Sequence, residues 1–215
     1  MSRDGGEGER DVDPEKRATL RRFAALGAAT PLSRFAGTAS ADGDGPTASD
    51  SDTRDALVGD VGATPGAHFS RVRDDLKLGT GETQYHLREL ENAGTVESRK
   101  DGDYRRYFLA GQFDEFQQVA LGYLRRETPR RMVVELLRDP EASAATIADR
   151  LGVSRPTVSN HAADLERAGI LTREDGYALA EPEAVLVLLV RYADSFGREA
   201  AALASEAPDL LTHDA

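Results

Sequence analysis

The chain has 215 residues, 40% hydrophobic, 6% aromatic and 30% charged, which suits one large or two small globular domains. It has no Cys and four scattered His residues (His68, His86, His161, His213), so disulfides, thiolate zinc sites and cysteine nucleophiles are excluded, and neither metal nor cofactor is expected. The longest strongly apolar run, residues 185–190, falls far short of the roughly 20 residues that span a bilayer as a helix, and no membrane partner is expected.

A formal charge of −11 comes from 38 acidic residues against 27 basic ones, with the acids spread along the whole chain. Only Lys16, Lys77 and Lys100 accompany a large Arg count, beside abundant Asp, Glu, Ala and Gly, a balance that resembles the proteins of salt-loving archaea. In such a solvent, net charge speaks to solubility and says little against nucleic acid as a partner. A basic footprint must be sought locally.

Residues 1–52 are poor in large apolar side chains and read as largely disordered, because they cannot bury enough surface to offset ordering entropy. A short helix is expected near residues 15–29, where Leu20, Phe23 and Leu26 share a face. Arg21 and Arg22, followed by Ala39-Ser40-Ala41, raise an export signal as a second reading. Pro31 and Arg34 interrupt the apolar stretch behind the arginine pair, so a free or docked helix is preferred. The stretch ADGDGPTASDSD reads as a linker.

From residue 53 the chain repeats itself. His86 matches His161, Leu90 matches Leu165, and ENAG at 91–94 matches ERAG at 166–169, all at one offset of 75 residues. Each copy reads as a short helix (residues 68–76; 144–151), a turn marked by Gly79 or Gly152, and a second helix with Thr80 or Ser154 near its start. Gly94 or Gly169 ends that second helix, and two short strands follow around an Asp-Gly turn. Helix, turn, helix and hairpin make a winged helix. Further helices are expected at 55–63 and 130–138, ahead of each copy, and over 113–125 as a connector that couples the two. The fold class is mainly α with small β-hairpins (α+β). Its expected divisions are a first winged-helix domain at 53–112, a connecting helix at 113–127, a second winged-helix domain at 128–180 and a long C-terminal helix at 181–211.

Residues 53–210, through LGTGETQYHLRELENAG and SRPTVSNHAADLERAGIL, resemble the archaeal tandem winged-helix transcription regulators related to the ArsR and MarR types. The resemblance covers about three quarters of the chain; Ala162 stands where such families usually put Leu, and the second wing is short and acidic. It implies a cytoplasmic regulator that binds double-stranded DNA through the helices at 80–92 and 154–167.

A helix that enters the major groove needs polar or small side chains on its leading face to meet the donor and acceptor pattern of base edges. In the second copy Val158, Ala162 and Leu165 are at core spacing, which leaves Ser154, Arg155, Thr157, Ser159 and Asn160 outward. Arg155 suits guanine and Asn160 adenine, while Ser154 is equally suited to a helix cap. In the first copy Thr83, Leu87 and Leu90 are core, which leaves Thr80, Glu82, Gln84, Tyr85 and Arg88 outward, with Gln84 suited to adenine and Glu82 to cytosine. His86 and His161, recurring at one position, read as structural. The first wing carries Arg99, Lys100, Arg105 and Arg106, cations suited to phosphate or minor-groove contact. Strand alternation forbids Arg105 and Arg106 from facing one side together, so one of them is expected to pair with Asp103 or Glu97. Arg125, Arg126, Arg130 and Arg131 form another cluster, for which phosphate contact and bracing of the domain junction are both open.

The apolar run at 184–190 is too continuous for a single stripe and is expected to be buried nearly all round, against the winged units or against the same helix of a second chain in a homodimer. No phosphate-binding glycine loop and no nucleophile elbow is present, so no catalysis is expected. Two competing readings stand beside DNA recognition: a winged helix used only for protein interaction, and a sensor with a ligand between the units, for which no polar constellation is visible in the sequence.

Overall fold

The structure, a computed structural model, describes residues 48–210; the helix read near 15–29 and the arginine pair beside it lie outside the described residues. Helix α1 (Ala48–Ala63) begins inside the stretch read as linker. Its buried stripe is Thr53, Ala56, Leu57, Asp60 and Val61, each at most 1% exposed, at the i, i+3, i+4, i+7, i+8 spacing of one helix face. Two of those five positions are polar, which concealed the stripe from a hydrophobic pattern.

Helix α2 (Phe69–Asp75) is capped by His68, whose Nδ1 accepts the Arg71 N–H at 3.3 Å. Helix α3 (Thr80–Asn92) follows after a tight turn. In that turn the left-handed residue is Lys77, at φ 55°, and not Gly79, which is extended at φ −70° and acts as the N-cap of α3. At the repeat offset Lys77 corresponds to Gly152, at φ 69°. The first copy thus makes the same turn without the glycine that favours it.

Strands β1 (Val96–Asp101) and β2 (Tyr104–Leu109) pair antiparallel from Val96 opposite Leu109 to Asp101 opposite Tyr104. The other edge of β2 is covered by residues 66–68, with the Tyr107 N–H donating to Ala67 O at 3.0 Å. Successive side chains alternate faces, so the hairpin serves two cores. Val96, Tyr107 and Leu109 join α1, α2 and α3 in the first core, while Phe108, fully buried, points into the second.

Helix α4 (Glu115–Leu124), capped by Asp114, leads to α5 (Glu127–Arg138), α6 (Ala144–Leu151) and α7 (Arg155–Arg167). Strands β3 (Leu171–Thr172) and β4 (Ala178–Leu179) form a second hairpin much smaller than the first. The spacing of Val158, Ala162 and Leu165, all fully buried, anchors α7 on Ile147, Leu151 and Met132. The fold is mainly helical, with two tandem winged helix-turn-helix units and two small antiparallel hairpins.

The closing segment is three helices and not one: α8 (Pro182–Arg191), the short α9 (Ala193–Phe196) and α10 (Arg198–Leu210). Gly197 at φ 98° takes a conformation that interrupts the helix, and the chain turns so that Ala200 and Leu203 reach the second core. Arg138 donates to both carboxylate oxygens of Glu206, at 2.9 and 3.1 Å, and holds α10 against α5. The apolar run is also less enclosed than expected. Val185, Leu186, Leu188 and Leu189 are buried, but Val187 is 60% and Val190 38% exposed, because α8 packs through one side only.

Candidate nucleic-acid interface

Helix α3 is anchored through Thr83, His86, Leu87 and Leu90, all buried. Thr83 satisfies its hydroxyl by donating to Gly79 O at 2.9 Å. The Nε2 of His86 lies 3.9 Å from Asp50 Oδ1, which ties α3 to α1 and fits the structural role read for this histidine; His161, its counterpart, is half-buried. Among the residues expected outward, Thr80, Gln84, Tyr85 and Arg88 are exposed. Glu82 differs: its carboxylate turns back and accepts the Gly79 N–H at 3.3 Å, half of a capping box. The residue read as a cytosine acceptor is engaged at the start of its own helix.

Thr80, Gln84 and Arg88 succeed one another at i, i+4, i+8 and line a groove of about 600 Å³ between α3 and the first wing, with Arg105 and Tyr107 across from them. Tyr85, 59% exposed, lies outside that groove, in edge contact with His86. The register of the hairpin decides which wing cations join this side. Lys100 is opposite Arg105, whereas Arg99 is opposite Arg106, so the four expected cations divide into two pairs on opposite faces.

On the α3 face, Arg105 donates from Nη2 to Glu91 at 2.9 Å and from Nε to the Ser98 hydroxyl at 2.6 Å. Lys100 is exposed. On the other face Arg106 is only 3% exposed. Its Nε binds Asp101, its Nη1 donates to Gly66 O at 2.9 Å, and Asp101 also accepts from Arg126 at 2.5 Å. Burial alone raises the Asp101 pKa, but the hydrogen bonds and charges of Arg106 and Arg126 outweigh it and hold the carboxyl below the usual range. Arg106 therefore cannot present its charge to a phosphate. Its partner is Asp101, where Asp103 or Glu97 was expected. Arg99 is half-buried and reaches Glu115 at 3.2 Å.

In the second unit Ser154 is the N-cap of α7: its Oγ accepts the Thr157 N–H at 3.2 Å and lies 2.8 Å from Thr157 Oγ1. Both hydroxyls are thus committed to the helix start. Arg155, Ser159 and Asn160 are exposed, and no carboxylate lies at ion-pair distance from Arg155 among the described residues. In the second wing Arg173 is paired with Glu166. The C-terminal end of α7, at Arg167 to Gly169, borders a second groove of about 650 Å³ on the far side of the first wing, lined also by Arg99 and α4.

Within the basic cluster of residues 125–131, Arg125 braces the junction, while Arg130 and Arg131 bond the preceding helix and the second unit itself. Arg125 donates to Pro65 O at 2.9 Å and to Ser195 O at 3.0 Å, Arg130 to Leu124 O at 3.0 Å, and Arg131 to Leu151 O at 3.2 Å. Tyr123 adds a bond from α4 to Asp164 O of α7 at 3.2 Å. Residues missed by sequence reasoning include Glu91, which holds Arg105; its recurrence as Glu166 at the repeat offset was a signal that could have found it.

Residues 51–121 match a family model described as an N-terminal HTH domain, and residues 131–177 match that of the MarR family. The chain thus carries two helix-turn-helix units in tandem, the second of them similar to the MarR family. It is 30% identical, over 126 residues, to an uncharacterized HTH-type transcriptional regulator of Methanocaldococcus jannaschii, an alignment that takes in 58% of this chain and 32% of that protein. The tandem helix-turn-helix chain thus spans about a third of the length of the curated relative it matches. No solved structure matches it. Among the described residues, no helix is long and apolar enough to cross a membrane.

Proposed function

We propose that this chain is a cytoplasmic transcriptional regulator that reads double-stranded DNA, with α3 and α7 as recognition helices. The observation that carries the reading is the groove in which Thr80, Gln84 and Arg88 of α3 stand beside the wing bearing Lys100 and Arg105. A polar helix face places donors and acceptors for base edges, and wing cations beside it supply phosphate contact. Arg155, Ser159 and Asn160 provide the corresponding face of α7. Glu82, Ser154 and Thr157 are engaged in helix capping and Arg106 is buried, which favours the other exposed side chains as the contacts to DNA.

The test is fluorescence anisotropy with the chain's own promoter DNA and with a scrambled duplex, in multimolar KCl and at lower salt, because low salt alone exaggerates phosphate attraction. Preference for the promoter that disappears in a Gln84→Ala, Arg155→Ala variant supports the reading; equal affinity for both duplexes counts against it. One observation favours a protein-interaction role as a second reading: Arg99, Arg105 and Arg173 each meet a carboxylate, which lowers the positive potential of both wings. The exposed Val187 and Val190 of α8 suit a homodimer through the closing segment. Sedimentation of the wild type against Val187→Lys checks this, the variant being expected to shift toward monomer.

A further inference from the structure

The two winged units and the closing segment meet around a cavity of about 210 Å³ that is lined by four arginines, Arg71, Arg106, Arg125 and Arg130. The arginines come from four places: α2, strand β2, the end of α4 and helix α5. Ser195 and Phe196 of α9 close the cavity, and the Arg125 guanidinium stacks 4.2 Å from the centre of the Phe196 ring. In a chain of net charge −11, such a concentration of cations around one small space is unexpected.

Their charges are unequally compensated. Arg71 pairs with Asp75 at 2.6 Å and Arg106 with Asp101. No carboxylate is at ion-pair distance from Arg125 or Arg130 among the described residues. All three bonds of Arg125 go to uncharged oxygens, those of Pro65 O, Ser195 O and Ser195 Oγ, so two of its five N–H groups have no acceptor among them. The Nε of Arg130 is buried without an acceptor. The surroundings register the excess. Burial and the charges of Arg106, Arg71 and Arg130 push Arg125 down to about 9, and burial with Arg106 and Arg71 holds His68 below its ordinary range. The nearest acid without a bonded partner, Asp60, is pushed up to about 7 mainly by burial, and therefore makes a poor counterion at neutral pH.

We infer that this junction cavity is a binding site for a small oxyanion, a phosphate or a carboxylate carried by a compact metabolite, held by Arg125 and Arg130 with Arg71 at its mouth. Guanidinium forks match the paired oxygens of either group, the N–H groups of Arg125 left without an acceptor supply charge-assisted bonds, and Arg130 adds its charge at the cavity wall. The walls belong to both winged units and to α9, so a bound anion ties them together and sets the spacing of α3 and α7. That last consequence rests on the DNA-reading function proposed above; the binding itself does not.

The experiment is thermal unfolding of the full chain, without DNA, titrated with potassium phosphate or potassium succinate at an ionic strength held constant with KCl. Binding to the folded state alone raises Tm with the logarithm of anion concentration once that exceeds Kd, whereas general exclusion of a kosmotropic anion raises it in proportion to concentration and equally in all variants. The expected result is a logarithmic rise that sets in at low concentration of one of the two anions, which also identifies the preferred group. In an Arg71→Gln, Arg130→Gln variant the apparent affinity should fall at least tenfold. Arg125→Lys, which keeps the charge and loses the fork, should weaken binding too, but its bonds across the junction make the double variant the deciding one. No shift beyond that of KCl with either anion, or an undiminished response in the folded double variant, overturns the proposal. Loss of duplex affinity in the double variant with its anion response intact also overturns it, and assigns these arginines to backbone phosphate. Absence of any duplex binding by the wild type, with the anion-specific shift present, refutes the DNA reading and leaves this site standing.

Discussion

Arg105 of the first wing and Glu91 of helix α3 are joined at 2.9 Å, and the second unit repeats the arrangement with Arg173 and Glu166. Glu91 and Glu166 are separated by the repeat offset of 75 residues, whereas Arg105 lies in the second strand of its wing and Arg173 just after the first strand of its own. A carboxylate at the C-terminal end of α3 and of α7 thus holds the wing against that helix and offsets part of its charge. Arg105 is 61% exposed in its side chain, so the pair contributes little to stability, about 1 kcal/mol or less. Glu91→Gln is expected to leave Tm nearly unchanged, tighten binding to promoter and scrambled duplex alike by a few fold, and steepen the salt dependence by about one phosphate contact. Anisotropy over a KCl series measures both effects.

Arg106 and Lys100 should separate cleanly. Arg106→Ala removes one of the two cations on half-buried Asp101 and leaves Arg126 as its partner, so the cost falls below the about 3–5 kcal/mol of a buried charge left with none. Loss of folding stability in denaturant titration is the expected outcome. Lys100→Ala is expected to be neutral for stability within about 0.5 kcal/mol and to weaken binding to all duplexes equally. The reverse assignment would show that the wing register places its cations differently from this structure.

The turn between α2 and α3 stores strain at Lys77. A left-handed conformation costs a residue with a Cβ about 1 kcal/mol, so Lys77→Gly should stabilise the first unit by about that amount. Gly152→Ala, at the equivalent position, should cost a similar amount; a Cβ there would meet nothing within 4 Å, so conformation and not crowding is what it tests. Urea unfolding of both variants decides the matter.

Asp60 gives the chain a pH dependence of unusual sign for a carboxylate. Its folded pKa is raised from 3.8 to about 7, chiefly by burial, with Asp75 adding to the shift and Arg71 and Arg125 opposing it. A raised folded value means that its contribution is fully present below pH 3.8 and is lost as pH climbs through about 7. Asp60→Asn is expected to gain stability relative to the wild type as pH rises from 4 to 8, by on the order of 4 kcal/mol at the upper end. The difference between the two unfolding curves isolates this residue from acids such as Asp101, whose lowered pKa acts in the opposite direction.

Much of the architecture was legible in the sequence because local rules and packing agreed. The offset relating His86 to His161 and Leu90 to Leu165 disclosed the tandem units, and the spacing of Val158, Ala162 and Leu165 predicted which side of α7 is buried. Ser154 before Arg155 marked the helix start through its capping chemistry. Alternation along the wing required that Arg105 and Arg106 face apart.

Which of those two arginines is buried was decided by the tertiary structure, since it depends on where α4 carries Arg126 relative to Asp101. The same holds for the start of α1 at Ala48, where Thr53 and Asp60 occupy core positions that a hydrophobic pattern cannot register. The break at Gly197 follows from the pull of Ala200 and Leu203 toward a core that exists only once α5 is in place. The junction cavity is the extreme case. Residues 71, 106, 125 and 130 share no spacing along the chain, and what makes them one site is that two separately encoded units pack with these guanidinium groups facing one space.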